Sequence, residues 1–130
     1  MMELYWPASQ GEWIAWSSAA VTVVFGLIMF FAPRIAFRIL RLQTVQAHPE
    51  ALSESRATMA GFYLGLGLCA LVFAQPFLWI ALGVSWGFTV FGRLISMMSD
   101  RGNTLYNWIS VLIELALAAG PLLFAFGFIT

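Results

Sequence analysis

Four stretches of this chain, roughly residues 13–32, 57–75, 77–96 and 106–128, run for about twenty positions with almost no charge, the length an α-helix needs to cross a bilayer. In lipid every backbone polar group must find its partner inside the segment, so an unbroken apolar run of that length folds as a helix. The four runs occupy most of the 130 residues. The expected fold is therefore all-α: one domain over 1–130, an integral membrane four-helix antiparallel bundle. Composition agrees, with 62% hydrophobic and 9% charged residues, against about 45–50% and about 25% in soluble domains.

Several function classes fall away at once. The chain carries six arginines, no lysine and six acidic residues, for zero net charge. That leaves no basic face for nucleic acid. The single cysteine, Cys69, permits neither an intramolecular disulfide nor a CxxC pair, and its apolar neighbours predict a small buried hydrophobe. The single histidine, His48, falls in a polar link and reads as a loop or cap residue. Metal or haem ligation needs histidines or cysteines inside the bundle, so neither a metal nor another cofactor is expected. No serine-nucleophile motif, phosphate loop or carboxylate pair within a span is present, and no enzymatic activity is expected. The N-terminus lacks a basic n-region, which argues against a cleaved signal peptide.

Taken in order, Trp6, Trp13 and Trp16 flank the start of the first span, where tryptophan suits a membrane interface. After Ala32-Pro33, Arg34, Arg38 and Arg41 fall on one helical face. This basic amphipathic segment suits the headgroup level of anionic lipid, either lying on the surface or as a snorkelling extension of the first helix. Pro49-Glu50 predicts a helix start with proline at its first position, ahead of the apolar part of the second span. Gln75-Pro76 predicts a tight turn into the third. Arginines near the span ends are Arg34, Arg38, Arg41, Arg56, Arg93 and Arg101, all on the side of the first and third loops. By the positive-inside rule those loops are cytoplasmic and both termini lie outside.

The third span sets Ser85, Thr89, Arg93 and Ser96 along one face, and the fourth sets Asn107, Ser110 and Glu114 along one face. An antiparallel hairpin through the turn 99–103 brings Arg93 and Glu114 to matching depth. A charge inside a span costs about 2.5–3.5 kcal/mol, so both side chains should face the bundle interior, where a guanidinium can fork onto a carboxylate. Tyr63, which shares a face of the second span with Arg56, joins this candidate polar cluster. Arg56, Glu54 and Asp100, at the same end, extend it. Such a pair can fix helix neighbours, anchor a ligand or handle protons or ions. Gly61-x-x-x-Gly65 with Gly67, Gly83-x-x-x-Gly87 and Ala116-x-x-x-Gly120 predict close helix approach, and Pro121 predicts a kink. The aromatic residues, 16% of the chain, read as lipid-facing bulk and interface anchors ahead of a pocket lining.

The pattern Arg56-Ala57 then Gly61, Gly92-Arg93-x-x-Ser96, Asp100-x-Gly102 and Glu114 resembles an uncharacterised bacterial four-helix membrane family, catalogued as a domain of unknown function and loosely DoxX-like in architecture. The likeness covers roughly residues 15 to 125. It supports the fold, marks Arg56, Arg93 and Glu114, and implies no mechanism. The leading expectation is a non-enzymatic accessory or scaffold subunit in a bacterial inner membrane, its partners the lipid bilayer and other integral membrane subunits. The alternative is a binder of a lipophilic small molecule, a lipid or quinone, with its head group over Arg93 and Glu114.

Overall fold

A computed structural model describes residues 6–43 and 49–130; His48 lies outside them. The described residues form five helices and no strand. These are α1 (Gln10–Phe31), α2 (Pro33–Leu40), α3 (Glu50–Phe73), α4 (Pro76–Ser99) and α5 (Leu105–Ala125). All but α2 are long and apolar enough to cross a membrane, which makes this a multi-pass membrane protein with an antiparallel four-helix bundle. α1 packs on α3 and α5, and α4 packs on α5 and more thinly on α3. Both ends of the bundle's chain meet: the Gly11 amide donates to the Thr130 carbonyl at 3.0 Å.

Helix starts follow local chemistry. Ser9 caps α1 by accepting from the Glu12 amide, and Thr104 caps α5 by accepting from the Asn107 amide. Pro76 opens α4 at a position whose amide has no helical partner. Pro49 is the residue before α3 and not its first position. α3 does begin ahead of its apolar part, and its link to α4 is the two residues Ala74 and Gln75.

Two prolines free carbonyls that other spans then satisfy. Pro121 sits inside α5 without ending it and supplies no N–H to the Leu117 carbonyl four residues back. The Ser18 hydroxyl of α1 donates to that carbonyl at 2.6 Å. Pro33 likewise leaves the Met29 carbonyl without its helical donor, and the fully buried Ser55 of α3 donates to it at 2.9 Å. Beside it, Arg56 Nη1 donates to the Phe30 carbonyl at 2.8 Å. A cation there also suits the negative end of the α1 dipole. Both side chains fall in a π-turn of α3, Ser55–Met59.

The break at Ala32 settles the nature of the basic segment. Its backbone (φ −133°, ψ 60°) leaves the helical region, so α2 is a helix of its own and not an extension of α1. Ala36 and Phe37 are buried while Arg34 and Arg38 are exposed.

The small-residue pairs work singly. Gly67 lies against Val23 and the Ala19 carbonyl, Gly83 against Leu122 and the Ala118 carbonyl, Gly120 against Ile14. Gly61, Gly65 and Gly87 face open space, and Ala116 is exposed. Gly26, which belongs to no such pair, packs on Leu64. Cys69 is exposed on the outer face of α3, because Gly67 and Ala70 take the buried positions of that turn.

Candidate functional site

Arg93 and Glu114 meet across the α4–α5 hairpin. Arg93 Nε lies 3.0 Å from both Glu114 carboxylate oxygens, and Nη2 donates to Oε1 at 2.6 Å. This is a side-on fork, the arrangement in which guanidinium and carboxylate bind most tightly. Nη1 donates to Asn107 Oδ1 at 2.8 Å. The Asn107 amide group in turn donates to the Gly102 carbonyl at 2.8 Å. The turn between the helices is thus tied to the charge it helps to place. Gly102 has no room for a side chain: a Cβ there would lie 3.0 Å from the Ser96 carbonyl oxygen and 3.2 Å from Asn107 Nδ2. Glu114 is 6% exposed.

Beside the pair lies a cavity of about 460 Å³, within the range of about 300–1,000 Å³ typical of small-molecule sites. It forms because α1 and α5 touch near the chain ends, where Ser18 reaches Leu117 and Ile14 meets Gly120, and part towards the opposite end. α2 bridges that gap: Ala36 and Leu40 line the cavity, and the Tyr106 hydroxyl donates to the Ile39 carbonyl at 2.7 Å. Phe25, Ile28, Ile109 and Ile113 give apolar walls. Tyr63, Trp86, Arg93, Ser110 and Glu114 supply the polar or aromatic end. Ile39, Ile109 and Ile113 are half-exposed cavity residues, so the cavity opens outward between α2 and α5. At that mouth the Arg41 guanidinium lies 4.6 Å from the centre of the Tyr106 ring, a cation–π contact. Arg41 adopts φ 58°, in the left-handed region, as it closes α2.

The cluster expected from sequence is brought together in part. Tyr63, Arg93 and Glu114 share the cavity. Arg56 does not join them, since its guanidinium faces the end of α1, and Asp100 is exposed in the turn. Spacing had aligned Arg56 with Tyr63, but the π-turn adds a residue to the helical turn between them and rotates Arg56 away. Of the polar face of α4, Ser85 and Thr89 bond back to the Ala81 and Ser85 carbonyls of their own helix. Arg34 and Arg38 are exposed away from the cavity.

A second polar chain went unmarked in the sequence. Trp86 Nε1 donates to Thr22 Oγ1 at 2.9 Å, and Thr22 donates to the Ser18 carbonyl at 2.8 Å. It fixes Trp86 beside Tyr63, whose ring stands edge-on at 5.6 Å. The prolines were the available signal for Ser18 and Ser55, because each predicts an orphan carbonyl in need of a donor.

Among the described residues no group of three histidine, cysteine or acidic side chains is placed to hold a metal ion. Compared with known proteins, the chain matches no curated protein and no solved structure. Residues 11–126, which take in nearly the whole bundle, match the family described as Domain of unknown function (DUF4345). The match includes Arg56, Tyr63, Arg93 and Glu114 and every wall of the cavity. The chain belongs to the DUF4345 family.

Proposed function

We propose that this protein binds a lipophilic small molecule in the cavity between α1, α2 and α5, with the polar head at Arg93 and Glu114 and the apolar tail along Phe25, Ile28, Ile109 and Ile113. The observation that carries this reading is the coincidence of a buried ion pair with a cavity that opens on the side of the bundle. A pair that served only to hold α4 against α5 would need no cavity beside it. Binding without chemistry fits the side chains present: the polar end offers hydrogen bonds and no activated nucleophile.

A scaffold role is the second reading. It draws support from Gly61, Gly65 and Gly92, exposed glycines on α3 and α4 with open space where a side chain would stand. There the backbone of a partner helix could approach closely. A stoichiometric membrane partner after gentle solubilisation would favour it.

The membrane is proposed to be a bacterial inner membrane, with the arginine-bearing end cytoplasmic and both termini outside. Arg34, Arg38, Arg41, Arg56 and Arg101 all lie at the end opposite the Gly11–Thr130 contact, and α2 sits there as the anionic-headgroup contact.

Native mass spectrometry of protein released from mild detergent tests the binding reading. The wild type should retain a lipophile at one per chain, and Ile113→Trp, which fills the cavity from its half-exposed wall, should remain folded and lose it. An empty wild type, or an unchanged adduct in Ile113→Trp, would overturn it.

A further inference from the structure

The cavity's polar end has a specific character. Resting on the binding reading above, we infer that it accepts a neutral head group bearing a hydroxyl and discriminates against anionic head groups.

An anion needs free donors, and three of the five N–H groups of Arg93 are already given. Nε and Nη2 form the edge that would grip a phosphate or carboxylate in two parallel bonds, and Glu114 occupies that edge. Nη1 is turned to Asn107. The pair brings no net charge to the cavity, and the Glu114 carboxylate repels a second anion placed beside it. An incoming anion would have to displace a carboxylate that is 6% exposed and leave it buried without its partner, which is unfavourable. Arg41, the other cation on the lining, is held over the Tyr106 ring at the mouth, away from the polar end.

A hydroxyl meets a complementary surface. Glu114 Oε2 accepts only from Nε, so it keeps lone pairs for another donor. The Tyr63 hydroxyl makes no hydrogen bond among the described residues; since no buried side-chain polar atom there lacks a partner, it is open to the cavity, while its ring is fixed against Trp86. Of its neighbours at that end, Trp86 gives its N–H to Thr22 and Ser110 gives its hydroxyl to the Tyr106 carbonyl. A ligand hydroxyl that donates to Glu114 and accepts from Tyr63 uses both of these open positions on the lining. A phenol, a long-chain alcohol and a monoacylglycerol share this chemistry. A phosphorylated or carboxylate lipid does not.

Competition photo-crosslinking tests the assignment, using the full chain in nanodiscs of zwitterionic phospholipid. The probe is a monoacylglycerol with a diazirine in its tail. The competitors, of matched chain length, are the unlabelled monoacylglycerol, its phosphate ester and the fatty acid methyl ester. Crosslinks should map to the cavity-facing peptides of α1 and α5. The monoacylglycerol should compete at least about tenfold more strongly than either relative, the ratio expected for one well-placed hydrogen bond. Tyr63→Phe, which removes one oxygen and keeps the ring, should narrow its advantage over the methyl ester. Glu114→Gln frees the guanidinium charge and should reverse the order in favour of the phosphate. If the phosphate or the methyl ester competes as well as the monoacylglycerol in the wild type, the head-group assignment fails while lipophile binding stands. Equal discrimination in Tyr63→Phe would also overturn it, and does not depend on whether Glu114→Gln folds. Crosslinking that avoids the cavity would overturn the binding reading and this inference together.

Discussion

Glu114 is the most deeply buried acidic residue among those described, and Arg93 is its ion-pair partner. Removing one member of a buried pair strands the other in a low-dielectric interior, at about 3–5 kcal/mol, while replacing both by apolar groups is often close to neutral. Arg93→Leu and Glu114→Leu should therefore each lower unfolding stability in detergent by about that amount, and the double variant should recover most of the loss. Losses that simply add would show that the two charges act independently. Asn107 has a smaller share: it orients Nη1 and secures the turn without carrying charge.

Among the helices, the proline carbonyls show how the spans are stitched together. Ser18→Ala leaves the Leu117 carbonyl without a donor and should cost about 1–3 kcal/mol. In a Pro121→Ala background the alanine N–H restores the helical bond, so the same Ser18→Ala change should cost little. Chemical denaturation of the four proteins gives the coupling, and an equal cost in both backgrounds would contradict the assignment. The four apolar spans, the α4–α5 hairpin and the Arg93–Glu114 contact were legible in the sequence because each rests on period and length alone, whereas the packing of α1 on α3 and α5 was not. The outcome at Gly61 and Gly65 shows the limit. Spacing puts two glycines on one face of α3, but it does not say whether that face meets a neighbour, and this one meets none. Cys69 was misplaced for the same reason, since an entirely apolar helix carries no signal for which side is inside. Arg56 was misplaced because a π-turn shifts the register and leaves no mark in residue type. The cavity was hidden because it arises from the divergence of α1 and α5 and from the seat of α2, relations among helices that no local pattern encodes.

For the molecule as a whole, an even number of spans returns the chain to the side where it began, as the Gly11–Thr130 contact requires. The arginines gather at the opposite end, beside the mouth of the cavity. Single cysteines at Ala8 and Ser99, introduced in a Cys69→Ala background, should differ on intact cells: an impermeant thiol reagent should label Ala8→Cys and spare Ser99→Cys. Equal labelling, or the reverse, would refute termini outside. In the proposed orientation the exposed α2 arginines face the inner leaflet, and a lipophile enters sideways between α2 and α5 near that leaflet. The most direct measurement joins the ion pair to the cavity in one variant. Arg93→Leu with Glu114→Leu is purified, its unfolding midpoint recorded, and its bound lipophile counted by native mass spectrometry beside the wild type. The prediction is a protein that unfolds near the wild-type midpoint and has lost the one-per-chain adduct. A stable double variant that keeps the adduct undiminished would show that the pair holds helices together and takes no part in binding.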